Sequence, residues 1–299
     1  MPYDHRNPVT RSLPAALAVL VCSAALAGCG AASEAAEGTR GPAAATTTPG
    51  ESRTPEPSRT PSRTPAADAA RPLAGRTVVV DPGHNPGNFR HTREIDEKVD
   101  IGTARKECDT TGTSTNASGG KAAYTEAAFT LDVSHRLRKL LEARGAEVVL
   151  THDADRPYGP CIDERARIGN EAAADAVVSV HADGSAVGNR GFHVIVPAEV
   201  REGSADTGPI VAPSRTLGER IAAAFARTTG TSPANYLGGG TGLDVRSDLG
   251  GLNLSTVPKV FVECGNMRDP KDAALLTSGA WRQKAAQGIA DGIVTYLQG

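Results

Sequence analysis

The sequence predicts an α/β fold, a single domain in which a sheet is covered by helices on both faces. Three observations carry that expectation. Between residues 76 and 265, short apolar runs of strand length recur. Stretches with apolar residues at helical spacing separate them, and each run closes on turn or stop residues. No internal repeat appears in this part of the chain, so one domain is expected rather than an array.

Taken in order, RTVVVDPG (76–83) is an apolar run ended by turn residues, a buried strand. A helix follows from about Thr125 to Arg144; Glu126, Phe129, Val133, Leu137 and Leu140 step by three and four, and Gly145 stops it. EVVLTHD (147–153) reads as a strand and CIDERARIGNEAAA (161–174) as a helix. AVVSVHAD (176–183) and GFHVIVP (191–197) are strands, and a helix is expected to begin near Ser214 with Leu217, Ile221 and Phe225 on one face. KVFVECG (259–265) is the last apolar strand. Asp269-Pro270 has the form of a helix cap with proline at the first helical position. The terminal helix carries Trp281, Ala285, Ile289 and Ile293 at a stride of four.

The region before residue 73 is of another kind. Arg6 and Arg11 precede the apolar run SLPAALAVLVCSAALAGC, the layout of a secretory signal, and the run is short for a membrane span. It ends in Leu26-Ala27-Gly28-Cys29, which resembles the bacterial lipobox; residues 1–28 are therefore expected to be a signal peptide and Cys29 an acylated anchor, the alternative being an ordinary cleaved signal and a secreted protein. From Gly30 to Pro72 there is no Val, Ile, Leu, Met or aromatic residue, and Ser-Arg-Thr-Pro occurs at Ser52, Ser58 and Ser62. Such a stretch buries too little surface to offset chain ordering, so an extended tether is expected over 29–72, with the folded domain over 73–299. The expected location is the outer face of the bacterial cytoplasmic membrane.

A net charge of −2 excludes the basic footprint of a nucleic-acid binder. Cys108, Cys161 and Cys264 remain in the folding part, and export makes one disulfide plausible. Cys108 and Cys161 fall in loop-like sequence while Cys264 ends an apolar strand, which favours a Cys108–Cys161 pair.

Four polar residues sit where surface polarity does not account for them. His84 follows a buried strand, His181 ends another, Glu263 interrupts VFVECG, and Glu126 lies on the apolar stripe of its helix. An unpaired buried carboxylate is costly, so such groups are paired, protonated or bound to metal. Strand C-terminal ends are also where α/β sheets collect ligand sites. Two imidazoles and a carboxylate with an open position make the donor set of a catalytic zinc site, and a second carboxylate can serve as general base. Singly, each has an ordinary reading: a turn histidine, a strand-end histidine, a first-turn glutamate, an ion-paired glutamate. His135 reads as solvated, His152 and His193 lack an obvious acidic partner, and His91-Thr92-Arg93-Glu94 has a zinc-like spacing but lies in a long polar loop.

DPGH, the helix-start Glu126, SVHAD and VECGN occur in an order that resembles the zinc-dependent N-acetylmuramoyl-L-alanine amidases, the third amidase family of cell-wall hydrolases. EARGAEVVLTHDAD and ERARIGNEAAADAVVSVHA look like the connecting sequence of that family, down to Arg165 and Asn170. The resemblance covers 76–298 and implies a central, mostly parallel mixed sheet of about six strands flanked by helices on both faces. It implies one Zn²⁺ held by His84, Glu126 and His181, with Glu263 as the catalytic carboxylate, and peptidoglycan as substrate. Asp183 and the run Asn266-Met267-Arg268-Asp269 depart from the pattern of many members, which touches substrate detail rather than ligands. Some relatives carry a helix that plugs the cleft until an activator moves it; no long helical insert is visible here. The segment Asn85 to Lys121 is instead expected to border the cleft, clipped by Cys108–Cys161. A monomer is expected. Rival readings are another zinc peptidase of the wall, a non-catalytic peptidoglycan-binding module, and a Cys264 nucleophile.

Overall fold

The computed structural model describes residues 71–117 and 122–299. The signal peptide, Cys29 and almost all of the tether fall outside these residues. Six strands form the central sheet: β1 (Thr77–Pro82), β2 (Glu147–Leu150), β3 (Ala176–Asp183), β4 (His193–Pro197), β5 (Leu243–Arg246) and β6 (Lys259–Asn266). Their spatial order is β2-β1-β3-β6-β4-β5. The first four in that order run parallel; β4 is antiparallel to β6, and β5 is parallel to β4. Among the described residues no helix is long and apolar enough to cross a membrane.

Alternation along the strands divides the sheet into two faces. Val78, Val80, Val178, Val180, Val194, Val196, Val260 and Val262 all join one large core. Helices α1 (Glu126–Ala143), α3 (Gly208–Thr229) and α5 (Gly279–Leu297) cover it with Phe129, Val133, Leu137, Leu217, Ile221, Phe225, Trp281 and Ile289. Each such side chain, fully buried, contributes about 1.5–3 kcal/mol. The opposite face is thinner. Val79 and Val177 pack there with Ala174 against Val149, Ala172 and Val257, and Gly169 of helix α2 (Ile162–Glu171) lies directly over Val177.

Capping explains the helix bounds. The side chain of Thr125 accepts from Ala128 N–H at the start of α1, and Gly145 follows its end at φ +96°. Asp269 accepts from the N–H groups of Lys271 and Asp272 to open α4 (Pro270–Leu276), and Ser278 caps α5.

Two local expectations are corrected, and one strand had no counterpart in the sequence reading. Helix α3 starts at Gly208 rather than near Ser214 and contains Pro213. The missing N–H of Pro213 would have met the carbonyl of residue 209, in the first turn, so the helix loses one bond and continues. Strand β5 has no extended apolar run, because it lies at the edge of the sheet with Val245 half exposed. The segment after β1 is also more ordered than its composition suggests. It holds a helical turn at Thr92–Ile95 and a hairpin pairing Lys98–Asp100 with Arg105–Glu107. Cys108 and Cys161 form a disulfide that ties this segment to the start of α2.

Candidate metal centre

Three routes of the chain deliver donors to the C-terminal edge of the sheet. His181 ends β3, Glu126 opens α1, and His84 stands on the bend after β1. One ligand atom from each lies within 4.8 Å of the other two. His84 Nε2 is 3.2 Å from Glu126 Oε2, and His181 Nδ1 is 3.0 Å from Glu126 Oε1. Donors placed tetrahedrally at about 2.0 Å from zinc stand about 3.3 Å apart; each histidine–glutamate pair is close to that through a different carboxylate oxygen, and the whole set lies within 4.8 Å.

Close packing fixes these side chains. A β-carbon on Gly83 would come within 2.4 Å of the His181 ring, so the glycine of DPGH is there for contact. Gly112, at φ +69°, passes equally close to His84 and Glu126. His84 itself adopts φ +61°, a conformation that costs a non-glycine residue roughly 1–3 kcal/mol and is typical of functional sites. The Glu126 carboxylate accepts from Thr113 N–H at 2.9 Å and from Ala182 N–H at 3.2 Å. Its two oxygens are thereby aimed at the two imidazoles.

Glu263 lines the same cleft, with Asp183, Arg246, Phe261 and the three donors. Across the sheet it pairs in register with His181 on β3 and His193 on β4. Its Oε2 is buried and has no hydrogen-bond partner among the described residues. Burial above all, with the nearby charges of Glu126 and Asp183, pushes its pKa well above the carboxylate range. Burial disfavours the charged form of His84 too, but Glu126 and Asp109 outweigh it and raise this histidine to about 10. Such a concentration of carboxylates around two imidazoles attracts a cation, and the orphaned Glu263 oxygen provides a proton acceptor beside it.

Sequence reasoning did not single out the buried ion network behind this edge. Arg165 donates to Pro160 O, Asp81 Oδ1, Pro82 O, His84 O and Asp109 Oδ2, at 2.6–3.1 Å. Asp81 also accepts from Thr151, Ser179 and Lys259, the last fully buried at 3.3 Å. Burial opposes ionisation of Asp81, yet Lys259 and Arg165 hold its carboxyl far below the usual range. A lysine opening an apolar strand, KVFVECG, and an aspartate closing another, VVVD, were the available signals.

Other candidates fall away from the cluster. His91 and Glu94 stand 3.7 Å apart and partly exposed, in the helical turn rather than a structureless loop. His135 is partly exposed and pairs with Asp153, and buried His152 hydrogen-bonds Pro82 O at 3.0 Å. Cys264 faces the large core, fully buried, and burial pushes its thiol well up, which removes it as a nucleophile.

The profile of the family described as N-acetylmuramoyl-L-alanine amidase (Amidase_3) matches residues 78–295. The chain belongs to this amidase family. N-acetylmuramoyl-L-alanine amidase Rv3717 of Mycobacterium tuberculosis is 38% identical over 239 residues, covering 80% of this chain and 93% of that protein. The crystal structure of the amidase Ami1 from Mycobacterium smegmatis matches with a TM-score of 0.67 and 38% identity, over 75% of this chain and 98% of its own. Ami1 from Mycobacterium abscessus, solved in its apo form, matches with a TM-score of 0.67 and 40% identity, over 75% of this chain and 100% of its own. The amidase fold and the mixed sheet described above are therefore the same architecture.

Proposed function

We propose that this amidase works with one Zn²⁺ held by His84, Glu126 and His181, and that Glu263 carries the proton between water and leaving group. The reaction is hydrolysis of the amide joining N-acetylmuramic acid to the L-alanine of the peptidoglycan stem peptide. The observation that supports the metal is the convergence of three donor atoms within 4.8 Å, beside a buried carboxylate oxygen with no partner. When bound, zinc polarises a carbonyl and lowers the pKa of water toward about 7.

The residues of the chain then have separate tasks. Thr113 and Ala182 N–H groups keep Glu126 aimed inward. Glu263 Oε2 takes a proton from the attacking water and hands it to the departing amine of L-alanine. An amine leaves poorly without that proton, so one carboxylate in both roles is sufficient.

Peptidoglycan lies outside the cytoplasmic membrane, and the N-terminal sequence is suited to delivery there. Acylation of Cys29 and a tether over 30–72 would leash the domain within reach of the wall. One acyl chain anchors only marginally, so a lipoprotein anchor of two or three chains is what stable tethering requires.

Metal analysis together with product mass on a defined muropeptide tests the reading. The wild type should hold one zinc and release a stem peptide beginning with L-alanine. Glu263→Gln should keep the zinc and lose turnover by about 10²–10⁴-fold. Full activity in that variant, or a wild type without stoichiometric zinc, would overturn the assignment.

A further inference from the structure

The Nδ1 side of His84 faces a cluster of acceptors and one carboxylate that no part of the reaction uses. Thr110 O lies 3.1 Å from Nδ1, Thr110 Oγ1 3.2 Å and Asp109 Oδ1 3.4 Å. Asp109 Oδ1 also accepts from Thr110 N–H at 2.7 Å. One carboxylate oxygen therefore stands beside the imidazole, farther off than either Thr110 oxygen, and fixes Thr110, whose carbonyl the imidazole hydrogen-bonds. The other oxygen, Oδ2, accepts from Arg165 at 3.0 Å. Asp109 and Arg165 are both buried, so neither can swing into solvent to find another partner.

Arg165 joins this support to the backbone of the bend. Its fork donates to the carbonyls of Pro82 and His84 at 2.6 and 3.1 Å, the residues around the left-handed turn. The disulfide connects the residue before Asp109 to the residue that precedes α2, the helix bearing Arg165. Ile162 N–H closes the junction on Cys108 O at 2.8 Å. Both the ring and the main chain of His84 are thus held by one buried pair.

We propose that Asp109 is a positioning residue for His84. Held by Arg165 and the Cys108–Cys161 bridge, it fixes Thr110, whose carbonyl accepts the Nδ1 proton in a hydrogen bond, and adds its own charge beside the ring, so that Nε2 presents its lone pair to the metal. The inference rests on the zinc reading above. A histidine ligand held this way loses about 10–100-fold in metal affinity when its partner is removed. Arg165 supplies the counter-charge that makes a buried Asp109 tolerable and sets the angle at which its carboxylate meets the ring.

The test measures zinc affinity by competition with a chromophoric chelator, on the purified wild-type protein and on Asp109→Asn, with circular dichroism as the check on folding. Wild-type zinc stoichiometry tests the underlying reading, and the variant tests only this inference. Asp109→Asn should stay folded, bind zinc about 10–100-fold more weakly, and shift the visible absorption of the cobalt-substituted protein. A folded variant with wild-type affinity and an unchanged cobalt spectrum would overturn the role of Asp109 and leave the zinc site standing. A wild type that takes up no zinc would overturn both. Should the variant fail to fold, ¹⁵N–¹H correlation of the wild-type imidazoles decides: with zinc bound, His84 must carry its proton on Nδ1. A proton on Nε2, or metal on Nδ1, would overturn the proposal.

Discussion

On β1, Val78 and Val80 face α1 and α5, while Val79 and Asp81 face the side of α2. On β3, Val178 and Val180 join the same core as Val78, while Ser179 and His181 lie across the sheet from it; on β6, Val260 and Val262 join the core while Lys259 and Glu263 do not. One sheet thus has a face built from valine and a face that carries ions. The valine face tolerates exchange of one apolar residue for another of similar size. The ionic face does not, because Asp81, Lys259 and Arg165 there depend on one another, and Glu263 is buried beside the three donors with no partner of its own among the described residues. Register couples the two: a slip of one residue would turn His181 and Glu263 into the core and put valines at the site.

The strongest way to break the comparison is to remove a donor from the ionic face. Glu126→Ala should abolish stoichiometric zinc and, with it, measurable turnover, while the fold persists on the valine face. Metal analysis and circular dichroism of one preparation check this. Removing zinc from the wild type with a chelator should likewise stop hydrolysis, and adding zinc back should restore it.

Asp81→Ala should cost about 3–5 kcal/mol of stability, because it leaves Lys259 buried without its carboxylate and Arg165 with Asp109 alone. Acid adds a sharper signature. The folded-state pKa of Asp81 is depressed, so its stabilisation is complete above the unfolded value of about 3.9 and declines as pH falls below it. Urea unfolding between pH 2.5 and 6 should show that decline in the wild type and a flatter profile in Asp81→Asn.

Leu137→Ala tests the other face. It sits on α1, fully buried in the large core, and its truncation should cost about 2–5 kcal/mol. Zinc affinity and activity per folded molecule should not change. A loss of zinc in that variant would mean that the two faces are coupled through α1 rather than independent.

What the sequence made legible follows the same division. The valine face was readable because helix and strand periodicities mark it directly: the stripe on α1 and the runs at 76–83, 176–183 and 259–265 all became elements in place. His84, Glu126, His181 and Glu263 stood out because they break that pattern. Asp109 did not, since in a polar loop an aspartate breaks no pattern. Arg165 appeared only as part of a resemblance, because a lone arginine on a helix looks solvated until its carboxylate partners, distant in sequence, are folded against it. Strand β5 was missed for a related reason. An edge strand buries one side and has no continuous apolar run, so Arg246 at the cleft wall came into view only with the sheet assembled.

The smallest effect asks whether the start of α1 or the loop beside it aims Glu126. Thr125 caps the helix one residue before the carboxylate, accepting from Ala128 N–H at 3.3 Å. Thr125→Ala should cost about 1 kcal/mol, the ordinary loss for a cap. If the cap positions Glu126, zinc affinity should fall with stability. Thr113 and Ala182, however, donate to both carboxylate oxygens from segments outside the helix. A frayed first turn therefore leaves those two bonds in place, and zinc affinity should stay within about twofold of wild type, a difference of roughly 0.4 kcal/mol. Calorimetric unfolding together with the chelator competition separates the outcomes, since only aiming by the cap predicts that both quantities move.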